Sequence, residues 1–184
     1  MTRNLARIIV LIIAAAVVAT IGLFLYFRYI VTVPDRPGMV YEDTFDFSGT
    51  WLHRVYYYHG GSENGDSYSV ELVLDKTKDG SPRTVVYYHN QPYYDAKAVD
   101  KQIVCTSGVV TGVQEIVDRY GMTDWKDLPE MDLIALDAAH MDFRLEYSEG
   151  TEIRLGSDRE MPDEAYDAIE EIRAYILLCA GIEE

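Results

Sequence analysis

The stretch Arg54–Leu74, RVYYYHGGSENGDSYSVELVL, decides the fold. Its second half alternates: Tyr68, Val70, Leu72 and Leu74 fall on one parity, with Ser69, Glu71 and, one step beyond the stretch, Asp75 between and after them. A period of two with one apolar set describes a strand with one buried face and one wet face. The intervening GGSENGDS carries Gly60, Gly61 and an Asn64-Gly65 pair, residues that tolerate positive φ at a hairpin tip. The first half is therefore the partner strand. Odd parity traced from Phe45 through Phe47, Trp51, His53 and Val55 to Tyr57 gives it an inner face.

That parity poses the functional question. If Tyr57 and Tyr68 point inward, Tyr56 and Tyr58 point outward. A turn at DKTKDGSP leads to a third strand, RTVVYYHN, which adds either Tyr87 and His89 or Tyr88 to the same outer face. Tyrosine suits strands and cross-strand pairing, and it tolerates water because its ring is apolar and its hydroxyl polar. One reading makes these ordinary strand residues on a wet face. The sharper reading makes Tyr56, Tyr58, Tyr87 and His89 a binding platform for a glycan or a protein, since tyrosine offers contact area at low entropic cost.

Beyond a fourth strand, KAVDKQIVC, with Ile103 and Cys105 on one side, the period becomes helical. Val109, Val113, Ile116, Val117 and Tyr120 form a stripe. Ser107 is placed to cap its start and Gly121 to close it, while Gly108 and Gly112 weaken the first turns. In the loop that follows, Trp125 is expected to pack on the core. A hairpin, HMDFRLEY and TEIRLG, follows with Met141, Phe143, Leu145, Tyr147, Ile153 and Leu155 inward. Pro162 is expected to open a last helix with Asp163 and Glu164 in its first turn, which suits the helix dipole. Ala165, Ile169, Ile172, Ile176 and Cys179 make its buried stripe and Gly181 ends it. The order predicts an α+β domain over 44–184: a mostly antiparallel sheet with two helices packed on one face.

Upstream lies an uncharged run of twenty residues, Ile8–Phe27, bracketed by Arg7 and Arg28. At ~1.5 Å per residue it spans about 30 Å, the hydrocarbon thickness of a bilayer. The alternative is a cleaved signal peptide ending near VVAT, but IGLFLYF continues the apolar run past that point. The sequence thus predicts a short cytosolic tail (1–7), a transmembrane signal anchor (8–29) contacting the lipid bilayer, and a linker (30–43) with Pro34 and Pro37. Arg3 and Arg7 ahead of the span keep the tail in the cytosol and place the C-terminal domain outside, in a single-pass arrangement at the cell membrane.

With Arg3, Arg7 and Arg28 set aside, 13 basic and 31 acidic residues remain, a balance of −18. Such a surface repels phosphate backbones and argues against nucleic acid as a partner. The two cysteines, Cys105 and Cys179, form a possible disulfide outside the membrane, or two small buried hydrophobes.

No residue pattern in the sequence marks a catalytic, cofactor or metal site. His53, His59, His89 and His140 lack metal-ligand spacing, although the two YYH segments raise the possibility that His59 and His89 meet across the sheet. There is no G-x-S-x-G elbow. Asp75–Gly80, DKTKDG, imitates half of a calcium loop, but the acid that position 77 would need is Thr, so a turn is the simpler reading. Acids are too abundant for any pair to stand out as a hydrolytic dyad.

Two segments carry a resemblance. GVQEIVDRYGMTDWKDLPEMDLIALDA, and FRLEYSEGTEIRLGSDREMPDEAYDAIEEIRAYI after it, resemble an uncharacterised family of small membrane-tethered extracytoplasmic domains of Gram-positive bacteria. The resemblance runs from about Phe45 to Ile176 and rests on Tyr120-Gly121, Trp125, Leu128-Pro129, Leu136-Asp137, Tyr147…Gly150-Thr151 and Pro162. It implies an α+β domain outside a bacterial cell and brings no active-site residues with it. FDFSGTW (Phe45–Trp51) is also similar to the Gly-x-Trp opening of lipocalins, which would require about eight strands before one late helix. The functional expectation is a non-enzymatic binding or accessory module acting on an envelope protein or glycan; the alternative is a hydrolytic enzyme with an unrecognised carboxylate site.

Overall fold

A computed structural model describes residues 43–61, 65–131 and 140–183 of the chain. All of them belong to one unit, Tyr41–Glu184. The predicted tail, span and linker up to residue 42 lie outside the described residues. Among those described, no helix is long and apolar enough to cross a membrane.

Six strands, β1 (Leu52–Gly60), β2 (Ser67–Lys76), β3 (Pro82–Gln91), β4 (Val99–Cys105), β5 (His140–Tyr147) and β6 (Glu152–Gly156), form one sheet in the order β4-β3-β2-β1-β5-β6. Every neighbouring pair is antiparallel. The sheet runs from β4 at one edge to β6 at the other, not closed as a lipocalin barrel would be. Two helices, α1 (Gly108–Tyr120) and α2 (Ala165–Cys179), cover one face. Val55, Tyr57, Val70, Leu72, Leu74, Val86, Phe143, Leu145, Ile153 and Leu155 bury there against Val109, Val113, Ile116 and Val117 of α1 and Ile169, Ile172 and Ile176 of α2. The α+β layer predicted from the two periods is the one observed.

Tyr57, Tyr68 and Tyr88 meet edge to face on the inner side, with centroids 5.8 and 5.5 Å apart. Tyr88 is therefore inward, and Tyr87 and His89 are the residues that join the outer face.

Three expectations need correction. The first strand begins at Leu52, not near Phe45, and residues 43–51 form no strand. Leu52 faces Tyr147 while Arg54 faces Glu146, so His53 is an extra residue on β1. Such a bulge reverses parity: Leu52 is buried in place of His53, whose Nδ1 lies 2.9 Å from the Leu74 carbonyl oxygen. Freed from the strand, Phe45, Phe47 and Trp51 stack edge to face in succession and pack on the core as a strap. At one end of the strap the Asp43 carboxylate accepts from the Ser107 backbone N–H at 3.0 Å and from its hydroxyl at 2.5 Å. At the other, the Ser148 N–H donates to the Trp51 carbonyl at 3.0 Å.

The second correction concerns Ser107. It sits at the start of α1, but its hydroxyl makes no cap hydrogen bond to the helix; it donates to Asp43, 64 residues earlier. The third concerns α2, which starts at Ala165, so Asp163 and Glu164 precede it and Asp167 is the acid of its first turn.

The helix ends follow the sequence. Gly121 adopts φ 63° past α1. After α2, Gly181 (φ 65°) donates to the Leu178 carbonyl and Ile182 to that of Leu177, with Ile182 buried. This is the Schellman arrangement that a left-handed glycine permits. Gly112 has a packing reason: a Cβ there would strike the Tyr175 ring of α2. Its missing side chain lets the two helices approach.

Candidate functional site

The sheet face opposite the helices carries no covering element among the described residues, and the strand register orders its side chains into three rows. The middle row runs Gln102–Tyr87–Glu71–Tyr56–Arg144–Arg154 from β4 to β6. One pleat to one side is Asp100–His89–Ser69–Tyr58–Asp142, and one pleat to the other is Val104–Val85–Val73–Arg54–Glu146–Glu152. All four expected face residues thus share this surface. They do not form a continuous aromatic cluster: Glu71 separates Tyr56 from Tyr87, and Ser69 separates Tyr58 from His89.

The β4-β3-β2 half is a shallow hollow of about 350 Å³ lined by Ser69, Glu71, Tyr87, His89, Asp100 and Gln102, among others. His89 is held at both ring nitrogens. Nδ1 lies 2.8 Å from Asp100 Oδ1, and Nε2 lies 3.4 Å from Ser67 Oγ. Tyr87 is 41% exposed and stands over this hollow. His59 pairs opposite Tyr68 on β2, whereas His89 pairs opposite Ser69, so the two histidines have opposite parity and do not meet.

The β1-β5-β6 half is a lattice of charge that the sequence reading missed. Arg54 donates to Glu71 at 2.6 Å and to Glu146 at 2.9 Å. Arg144 and Arg154 both donate to Asp142, at 2.6 and 3.4 Å, and Arg154 also donates to Asp158 at 3.1 Å. Tyr56 sits amid this lattice, with the guanidiniums of Arg54 and Arg144 5.6 and 6.0 Å from its ring centroid. Such contacts hold the ring by attraction to its electron-rich faces. Burial raises the Tyr56 hydroxyl above its ordinary range, and the nearby Asp142 charge acts in the same direction. Burial alone would raise the Asp142 carboxyl as well, but the hydrogen bonds and charges of Arg144 and Arg154 outweigh it and leave the group below the usual carboxylate range.

A signal for this lattice was present in the sequence. Asp142, Arg144 and Glu146 alternate with apolar residues on β5, as do Glu152 and Arg154 on β6. Alternating charges on a wet parity are what cross-strand ion pairs require. Which charges meet depends on a register between residues some ninety positions apart, and the local pattern does not contain it.

This face presents aromatic rings, hydrogen-bonding groups and paired charges. Among the described residues no group of three His, Cys, Asp or Glu side chains is placed to hold a metal ion. The carboxyls clearly displaced from their ordinary range, Asp46, Asp79 and Asp142, are all displaced downward. That direction favours a fixed anion over a proton donor. The DKTKDG segment is a turn: the Gly80 N–H donates to the Thr77 carbonyl at 3.0 Å with Gly80 at φ 91°, and the Thr77 hydroxyl bonds Asp79. Cys105 lies on β4 and Cys179 at the end of α2, and both are thiols. Burial pushes the Cys179 thiol up.

Compared with family models, the sequence matches none. No curated protein is significantly similar to it.

Proposed function

We propose that the chain is a single-pass, membrane-anchored extracytoplasmic domain of the bacterial cell envelope. It acts as a non-enzymatic binding or accessory module, and its contact surface is the uncovered face of the sheet. The observation that carries this reading is the joint presentation of Tyr56, Tyr58, Tyr87 and His89 on the face opposite the helices. Interfaces favour tyrosine and arginine side by side, and this face holds both. The ion-pair lattice fixes Tyr56 in advance, which lowers the ordering cost of binding. A glycan would stack on exposed rings and bond the polar groups between them; a protein would bury Tyr87 and Tyr58.

The anchoring half of the proposal rests on Ile8–Phe27 and on the basic residues before it. The alternative of a carboxylate hydrolase requires a proton-donating acid in a cleft, and none of the clearly displaced carboxyls described above fits that role.

The test is replacement of Tyr56, Tyr58 and Tyr87 by alanine in the full-length chain, followed by copurification of envelope components from detergent extracts. A triple variant with unchanged unfolding midpoint should lose components that the parent retains. Retention by the folded variant would contradict the assignment of this face.

A further inference from the structure

A second hollow, of about 360 Å³, opens at the β6 end of the same face and is lined by Lys126, Arg144, Glu152, Arg154 and Arg159. Four cations and one acid is an anomalous lining for a chain with a formal charge of −15. The cations come from four separate segments. Arg144 and Arg154 are opposed across β5 and β6. Lys126 follows the short 3-10 turn Met122–Trp125. Arg159 lies just beyond β6, and the loop carrying Pro129–Met131 is fixed along it. The Met131 N–H donates to the Asp158 carbonyl at 2.8 Å, the Glu160 N–H to that of Pro129 at 3.1 Å, and Arg159 itself to the Leu128 carbonyl at 2.9 Å. The wall is therefore held by backbone, not by the charges alone.

The donors are not exhausted by internal pairing. Arg144 uses Nε and Nη2 on Asp142, and Arg154 uses Nε on Asp142 and Nη2 on Asp158. Among the described residues, neither Nη1 has a hydrogen bond. Arg159 Nε is buried without a hydrogen-bond partner among the described residues, and among them Lys126 is exposed and makes no ion pair. Among the described residues, Glu152 reaches only Arg144, at 3.9 Å. Arg159 is engaged at both ends of its fork, by the Leu128 carbonyl and by Glu130 at 3.2 Å, but the acids on Arg144 and Arg154 occupy one side of each fork and leave the Nη1 donors over.

We infer that this hollow binds a phosphate group. Guanidinium forks match the peripheral oxygens of phosphate, and several donors converging from different directions suit a tetrahedral anion better than a planar carboxylate. The inference deepens the proposed function, on which it rests for its biological use. The middle row leads from Tyr87 and Tyr56 directly into Arg144 and Arg154, so a ligand lying on the face ends with its anionic group in the hollow. The surrounding negative field makes binding local and salt-sensitive.

The experiment titrates inorganic phosphate, pyrophosphate and acetate into the full-length chain in non-ionic detergent, followed by calorimetry. Binding is also measured to phosphatidylcholine vesicles with and without phosphatidylglycerol. Saturable binding of phosphate or pyrophosphate, tighter than acetate, is expected. Lys126→Glu should weaken it at least tenfold. Glu152→Gln, which removes the one carboxylate of the lining, should tighten it severalfold. Lys78→Glu, the same charge change at the exposed β2–β3 turn, should alter it less than twofold. Opposite shifts from two substitutions in one hollow are not produced by a general loss of structure. A Lys126-dependent gain with phosphatidylglycerol vesicles over the free anions assigns the phosphate to a lipid headgroup; its absence assigns it to a soluble ligand. No saturable response to either anion or to the vesicles, or an equal loss with Lys78→Glu, overturns the inference. The binding-face reading fails separately, if alanine at Tyr56, Tyr58 and Tyr87 leaves capture of envelope components intact.

Discussion

Gly112→Ala tests the helix packing by its sign. Gly112 lies inside α1, where alanine would ordinarily add about 1 kcal/mol through helix propensity. An exposed site would show that gain. Here the added Cβ would lie 2.7 Å from Tyr175 Cε1 and closer still to Cζ and the hydroxyl. Ordinary carbon contacts are about 3.5–4.0 Å, so the ring must move by about 1 Å. It cannot swing away freely, because it is partly buried and packed against the core. Overpacking of this kind costs about 1–3 kcal/mol. The two effects leave a net loss of about 0–2 kcal/mol, with a centre near 1. The assay is urea unfolding of the full-length chain, followed by the fluorescence of Trp51 and Trp125, run as a double-mutant cycle with Tyr175→Ala. With the ring removed, Gly112→Ala should turn stabilising by up to about 1 kcal/mol. The coupling is then about 1–3 kcal/mol. A gain in the parent background, or additivity in the cycle, would refute the claim that this glycine exists for close helix approach.

Three further outcomes follow from particular contacts. Asp142→Asn should cost about 1–2 kcal/mol, less than the ~3–5 kcal/mol typical of a broken buried pair because Arg144 and Arg154 are each about one third exposed. Because the folded-state value of Asp142 lies below its unfolded one, its stabilisation is complete above the ordinary carboxylate range and lost as pH falls through the folded value; parent and variant should therefore converge in acid unfolding. Burial pushes the Tyr175 hydroxyl up to about 12, with the neighbouring Cys179 contributing, so the folded state holds its proton more tightly than the unfolded chain. Stability should fall between about pH 10 and pH 12, and Tyr175→Phe should flatten that stretch of the unfolding curve. Asp43→Ala leaves the buried Ser107 N–H without its acceptor and should cost about 1–2 kcal/mol in the same unfolding assay.

The fold was legible wherever one side of an element carried a repeated period. Val70, Leu72 and Leu74 on β2, and Ile169, Ile172 and Ile176 on α2, are buried where their spacing puts them. Failures arose where a tertiary contact overrode a local pattern. Phe45 and Phe47 alternate as a strand would, yet they serve a strap tied to Ser107 and Ser148. Nothing local marks the extra residue at His53, because a bulge is defined by the partner strand. The outer face was legible in membership, through the parity of Tyr56 and Tyr58, but not in arrangement. The intervening Glu71 and Ser69, and the arginines around Tyr56, belong to strands paired from distant positions. The phosphate hollow was least legible, since Lys126, Arg144 and Arg159 meet only once the loop over 128–131 lies along Asp158–Glu160.

The central claim is that the uncovered sheet face is the surface this domain presents to its partner. Photocrosslinking in living cells tests it most directly. A benzoylphenylalanine replaces Tyr58 or Tyr87 on that face, or Tyr166, which is 56% exposed on α2 across the sheet. Discrete adducts from positions 58 and 87, and none from 166, are the predicted result. Adducts from position 166 with none from 58 or 87 would contradict the account.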